Sequence, residues 1–238
     1  MEIFLLFFIF MIIFGVLGYI LKTHQPKIIV LTGAIAVGKT TLGKTIESCL
    51  LEKGVRVKYF DEVTDGLEEE LRMFYKDTKK YALWFQYKIL RKHKKMMKRI
   101  FDINYRYDYI ILDRTHLDQI VFSKFNIDDE EDLAYMLEKI EKIKMKFDKV
   151  IYVRPIKENM VKRYLTDREG FNIEELNLLK NYWINQYTEI VSDVEYVKEI
   201  YNQYEKMIDE IYPTRYLFEN NVDVSEYDVN ELLKYILK

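Results

Sequence analysis

Hydrophobic and polar positions divide this chain into three kinds of stretch. The first is one unbroken apolar run, IFLLFFIFMIIFGVLGYIL from Ile3 to Leu21, which contains no charged residue. At about 1.5 Å per residue it would reach roughly 28 Å as a helix, close to the hydrocarbon thickness of a bilayer. The pattern therefore predicts a transmembrane helix. A cleaved signal peptide would place basic residues ahead of the run and small residues at its end, whereas here Glu2 precedes it and Tyr19-Ile20-Leu21-Lys22 follows. A signal sequence and a buried core helix stay open as alternatives. Lys22 and Lys27 follow the run, so the positive-inside tendency places the remainder of the chain in the cytosol, as a single-pass membrane protein.

The second kind comprises short apolar runs bounded by turn residues, the look of buried parallel strands. They are Lys27–Leu31, Val55–Phe60, Tyr109–Leu112, Val150–Val153 and, more weakly, Tyr216–Phe218. Between them lies the third kind, stretches of helical periodicity: 41–53, 67–75, 79–104, 130–146, 157–166, 174–211 and 229–237. Strand alternating with helix implies an α/β fold, a five-stranded parallel sheet covered on both faces. No repeat or linker divides residues 27–238, which read as one domain behind an anchor at residues 1–22.

Composition narrows the function. With 37 basic and 39 acidic residues the net charge is −2, so nucleic acid is not an expected partner. The 8 Gly and 3 Pro in a 49% apolar chain exclude a disordered or collagen-like protein. The lone Cys49 excludes a disulfide framework and a Cys-rich zinc site. His24 and His116 lack ligand spacing and are assigned no metal. The basic run Arg91–Arg99 reads as a solvated helix face, with anionic headgroups as its alternative partner.

Candidate chemistry begins directly after the first strand. Gly33-Ala34-Ile35-Ala36-Val37-Gly38-Lys39-Thr40-Thr41 matches G-x-x-x-x-G-K-[ST] at the opening of a helix. Glycines let the backbone curl so that its N–H groups face phosphates, and the helix N-terminus adds its dipole. Lys39 would reach the outer phosphates of ATP, and Thr40 would ligate Mg²⁺. No Asn-Lys-x-Asp string marks a guanine-nucleotide switch, and no Ser-Gly-Gly signature marks a transport ATPase. Asp61-Glu62 follows the second strand and Asp113-Arg114-Thr115 the third. One carboxylate there can take a proton from an attacking hydroxyl while another holds Mg²⁺, as phosphoryl transfer requires.

From Lys27 to about Tyr187 the chain resembles the deoxynucleoside kinases. The likeness rests on the phosphate loop, on LEEELRMFYKDTKKYALWFQ (67–86), on DRTHLDQIVF (113–122), and on Tyr152-Val153-Arg154-Pro155 followed by Arg163 and Arg168. It implies transfer of the γ-phosphoryl of ATP to the 5′-hydroxyl of a deoxynucleoside. Glu62 takes the position of the general base, although Val63 replaces the family's usual Pro and leaves Asp61 as a competitor. Tyr75, eleven residues before Gln86, corresponds to the binder of the sugar 3′-hydroxyl. Gln86 would pair with the base, Phe85 and Phe122 would sandwich it, and Arg114 would steady the transferring charge. Asp113 joins Thr40 as a metal ligand, and Arg163 and Arg168 form a lid, despite Asp167-Arg168-Glu169-Gly170 departing from the family's lid pattern. His93, with Asp118 or Gln119, falls where some members select the base. The resemblance further suggests a homodimer. A thymidylate-like monophosphate kinase and a non-catalytic, membrane-tethered nucleotide-binding protein are the alternatives.

Overall fold

The computed structural model describes residues 7, 9–12, 15, 25–35, 37–64, 66–155, 194–220 and 226–238, without the side chains of residues 75, 104, 155, 194–198 and 226–228. The elements run β1 (Lys27–Thr32), α1 (Lys39–Glu52), β2 (Val57–Phe60), α2 (Glu68–Lys76), α3 (Thr78–Ile103), a 3-10 turn (Asn104–Arg106), β3 (Tyr109–Asp113), α4 (Asp118–Asn126), α5 (Glu130–Glu141), β4 (Lys149–Pro155), α6 (Val194–Ile211), β5 (Tyr216–Asn220) and α7 (Glu226–Leu237).

The five strands form one sheet in the order β2-β3-β1-β4-β5, every neighbouring pair parallel. The expected α/β architecture is borne out. Ile29, Val30 and Leu31 on β1 and Ile110, Ile111 and Leu112 on β3 are fully buried. This explains why the central strands read as continuous apolar runs, since helices cover both faces. Parallel strands bring all their carboxyl ends to one edge, where such folds bind ligands. A second core of Phe74, Phe85, Leu90, Met136 and Ile140 joins α2, α3 and α5.

Two elements depart from the periodicity. Helix α5 ends at Glu141, short of the expected 146. Helix α4 was not foreseen, because its buried positions include Asp118, Gln119, Ser123 and Asn126 as well as Val121, so no apolar stripe marks it. The expected helix at 157–166 and most of that at 174–211 lie outside the described residues. The apolar run 3–21 also falls largely outside them. Within it residues 7, 9–12 and 15 are helical, and Phe7, Ile9, Phe10, Met11 and Ile12 are exposed. Among the described residues, no helix is long and apolar enough to cross a membrane.

Candidate active site

The phosphate loop leaves β1 at Gly33, whose φ is 143°. A Cβ there would come within 2.4 Å of the Val153 carbonyl oxygen, so only glycine fits between this loop and β4. Gly38, at φ 85°, is the N-cap of α1. These two positions are where the motif's glycines are sterically required. Ala34 and Val37 are buried, Ile35 is half-buried and Thr41 is exposed, while Ala36 lies outside the described residues. Asn220, at the end of β5, donates from Nδ2 to the Val37 carbonyl at 2.8 Å, a support that no motif announces.

Lys39 is buried, and its Nζ donates to the Ala34 carbonyl at 2.7 Å. Burial, reinforced by the nearby Arg114 cation, lowers its pKa to about 8 against the opposing pull of Asp113, Glu62 and Asp118. The Thr40 hydroxyl donates to Asp113 Oδ2 at 2.8 Å, and the Tyr59 hydroxyl donates to the same oxygen at 2.9 Å. Burial first, then the Asp113 charge, raises the Tyr59 pKa far above its ordinary value, keeping the phenol protonated as a donor. Asp113 Oδ1 is buried and has no hydrogen-bond partner. Hydroxyl and carboxylate oxygens at the head of α1 are the donors Mg²⁺ prefers, and that ion binds through one or two carboxylates plus substrate phosphates. The residues therefore fit the metal. Among the described residues there is no group of three or more His, Cys, Asp or Glu that could hold a metal ion without phosphate oxygens.

Arg114 is 2% exposed and, at φ 65°, is the one non-glycine residue with positive φ among the described residues. Its NH2 donates to the Ala34 carbonyl at 3.1 Å and its NH1 to the Tyr204 hydroxyl at 2.6 Å. Its Nε lies 3.3 Å from Glu62 Oε1, an ion pair whose angle does not form a hydrogen bond. Burial opposes the Arg114 cation, but Glu62 and the other surrounding groups outweigh it and raise its pKa. Glu62 is half-buried, whereas Asp61 is exposed and faces Lys44 at 3.8 Å. Phosphate loop, Glu62, Asp113 and Arg114 thus meet at the carboxyl edge of the sheet.

The nucleoside side is assembled differently. The Phe122 ring lies 5.0 Å from the Arg114 guanidinium and meets Tyr204 edge-on, so it clamps the arginine. The Phe85 ring stacks on Phe74, with centroids 4.8 Å apart, inside the second core. Its expected place as an open base-stacking ring is taken up by packing. Gln86 is 3% exposed. Tyr75 lies in α2, and Arg163 and Arg168 lie outside the described residues. Asp118 and Gln119 separate cleanly: Asp118 is wholly buried among hydroxyl donors, while Gln119 Oε1 has no partner. Tyr59 and Tyr204 went unrecognised because each lies far in sequence from the groups it serves, and Asp118 was read only as a candidate partner of His93.

Residues 29–235 match the model of the deoxynucleoside kinase family. The chain belongs to that family. Among solved structures, a deoxyadenosine kinase from M. mycoides with bound dATP is similar at 22% identity and a TM-score of 0.65, covering 89% of this chain and 100% of that one. The same enzyme with products dCMP and a flexible dCDP gives 21% identity and a TM-score of 0.63, covering 88% and 98%. With dCTP bound it gives 22% and 0.59, covering 88% and 98%. No curated protein sequence matches. As a deoxynucleoside kinase, the chain catalyses ATP-dependent phosphorylation of a deoxynucleoside.

Proposed function

We propose that this kinase transfers the γ-phosphoryl of ATP with Glu62 as general base, Lys39 and Arg114 as charge-stabilising groups, and Thr40 and Asp113 as the holders of Mg²⁺. The observation that carries the assignment is the meeting of Glu62, Arg114 and Lys39 at the phosphate loop: Arg114 spans from Glu62 to the Ala34 carbonyl on which Lys39 also rests. Glu62 takes the proton of the 5′-hydroxyl, and that oxygen attacks the γ-phosphorus as the bond to the ADP oxygen breaks. Lys39 exchanges its carbonyl partner for phosphate oxygens, and Arg114 faces the charge that moves between nucleophile and leaving group. Mg²⁺ held by Thr40 and Asp113 would neutralise charge on the phosphates. Gln86 reads the base through its amide, which offers both a donor and an acceptor.

Glu62→Gln tests the assignment, with an expected fall in kcat of about 10²–10⁴ while ATP binding is retained. Undiminished transfer would hand the role to Asp61. Labelled ATP offered with each deoxynucleoside and each monophosphate separates this reading from a monophosphate kinase. For the apolar run we propose a membrane tether. Its support is 19 uncharged residues ending five short of β1 and the exposure of Phe7, Phe10 and Met11. Resistance of the full chain to carbonate extraction is the expected result, and release into the supernatant would remove the tether.

A further inference from the structure

The carboxylate of Asp118 is completely buried, and its two oxygens accept four hydrogen bonds. Oδ1 accepts from the Thr32 hydroxyl at 2.5 Å and the Tyr204 hydroxyl at 3.0 Å. Oδ2 accepts from the Thr115 backbone N–H at 2.8 Å and the Tyr212 hydroxyl at 2.9 Å. An ionised carboxylate offers about four lone-pair sites, so Asp118 keeps no capacity for a ligand. Of its four donors, Tyr204 does something the others do not: its oxygen also accepts from Arg114 NH1 at 2.6 Å. Hydrogen bonds therefore run in one direction, from Arg114 to Tyr204 to Asp118, and such chains polarise and strengthen each other in a dry interior.

We infer that Tyr204 and Asp118 are positioning residues for phosphoryl transfer, fixing the Arg114 guanidinium against the phosphate loop. Arg114 has a left-handed backbone, which persists in a non-glycine residue only when its surroundings over-determine it. Beside the Phe122 ring, its other polar holds are weaker. The Ala34 carbonyl belongs to the loop that must adapt to phosphates and is shared with Lys39. Glu62 is half-exposed and off the N–H direction. Tyr204 alone is tied to a buried charge, and that charge is tied through Thr32 to the last residue of β1, directly before the loop. Asp118 thus sets three elements, β1, the turn after β3 and helix α6, in one register around a group whose catalytic worth depends on not having to reorganise.

This inference rests on the reading of Arg114 as a charge-stabilising group, and the test separates the two. Four full-length proteins are compared in steady-state kinetics and thermal unfolding: wild type, Tyr204→Phe, Tyr212→Phe and Arg114→Lys. Tyr204 and Tyr212 each give Asp118 one hydroxyl, but only Tyr204 touches Arg114. Tyr204→Phe is expected to lower kcat about 10- to 100-fold, with KM for ATP and for nucleoside changed by less than about twofold. Tyr212→Phe should keep kcat within about twofold while lowering the unfolding temperature as much as Tyr204→Phe does. Equal loss of kcat in both tyrosine variants, or loss in neither, overturns the positioning role and leaves a structural one. If Arg114→Lys retains kcat, the reading of Arg114 itself fails. If Arg114→Lys loses kcat while Tyr204→Phe does not, only the positioning role falls.

Discussion

Two buried polar clusters in this kinase are built on opposite principles. Around Asp118, both carboxylate oxygens are paired and the donors come from β1, the turn after β3, and α6. On helices α3 and α4, which pack against each other, Gln86 Oε1, Gln119 Oε1, Ser123 Oγ and both ring nitrogens of His93 are buried without a hydrogen-bond partner. A buried polar atom without a partner costs its desolvation, whereas a satisfied network rigidifies its surroundings. The first cluster invests in holding the reacting groups still. The second carries an unmet hydrogen-bonding demand that includes Gln86, the amide proposed to read the base. The first acts on Arg114 through Tyr204, whereas the second is acted on by it, through the electrostatic effect of Arg114 on His93.

The largest expected effect lies in the satisfied cluster. Asp118→Ala strips four donors of their acceptor and removes a negative charge near Arg114, so urea unfolding should show a loss of about 3–5 kcal/mol. A loss below about 1 kcal/mol would mean the network is not what rigidifies this region. The next effect, taken per pH unit, belongs to the histidines. Burial, then His116 and Arg114, lowers the His93 pKa to about 3, and burial lowers that of His116 to about 4 although Asp118 pulls the other way. Both pKa values are depressed below the unfolded value of about 6.5. The unfolded chain therefore binds protons that the native chain refuses, and stability falls as pH drops from about 6.5 towards 4. Each histidine contributes a slope of about 1.4 kcal/mol per pH unit once it is mostly protonated in the unfolded chain. Denaturation midpoints at pH 7, 5.5 and 4.5 measure it, and the slope should diminish in His93→Leu.

Lys39, whose lowered pKa owes part of its cause to Arg114, gives a smaller effect of the same kind on binding. Its pKa of about 8 in the free protein means that ATP, which needs the cation, must recover a proton above that pH. ATP affinity should weaken by up to about tenfold per pH unit between pH 8 and 10, with proton uptake visible as a buffer-dependent binding enthalpy. A flat profile would show that Lys39 is charged throughout. The smallest expected effect is His93→Leu at neutral pH. Replacing an unpartnered imidazole by an apolar group of similar size should leave stability within about 1 kcal/mol or raise it. A loss as large as that of Asp118→Ala would erase the contrast between the clusters.

Much of the fold could be read from local pattern. Runs such as Lys27–Leu31 and Tyr109–Leu112 announced buried strands because burial on both faces leaves no room for polar alternation. The phosphate loop was legible because its glycines answer a local steric demand, seen at Gly33 against the Val153 carbonyl. Helix α4 escaped because its buried face carries Asp118, Gln119, Ser123 and Asn126, residues placed by hydrogen bonding and not by hydrophobicity. Phe85 looked like a ligand-facing ring because aromatic identity does not distinguish a stacking platform from a core stack on Phe74.

The sequence by itself determined the parallel α/β order, the phosphate loop and the candidate carboxylates and arginine, since each follows from periodicity or from a contiguous motif. It also supplied the uncharged N-terminal run that motivates the tether. Tertiary structure decided which of two adjacent acids faces Arg114, where Phe122 and Phe85 spend their rings, and how Asp118, Tyr204 and Tyr212 meet. Those contacts join residues 86 and 94 positions apart. Their cost and benefit arise only when chain closure brings charges into a dry interior, which no local pattern encodes.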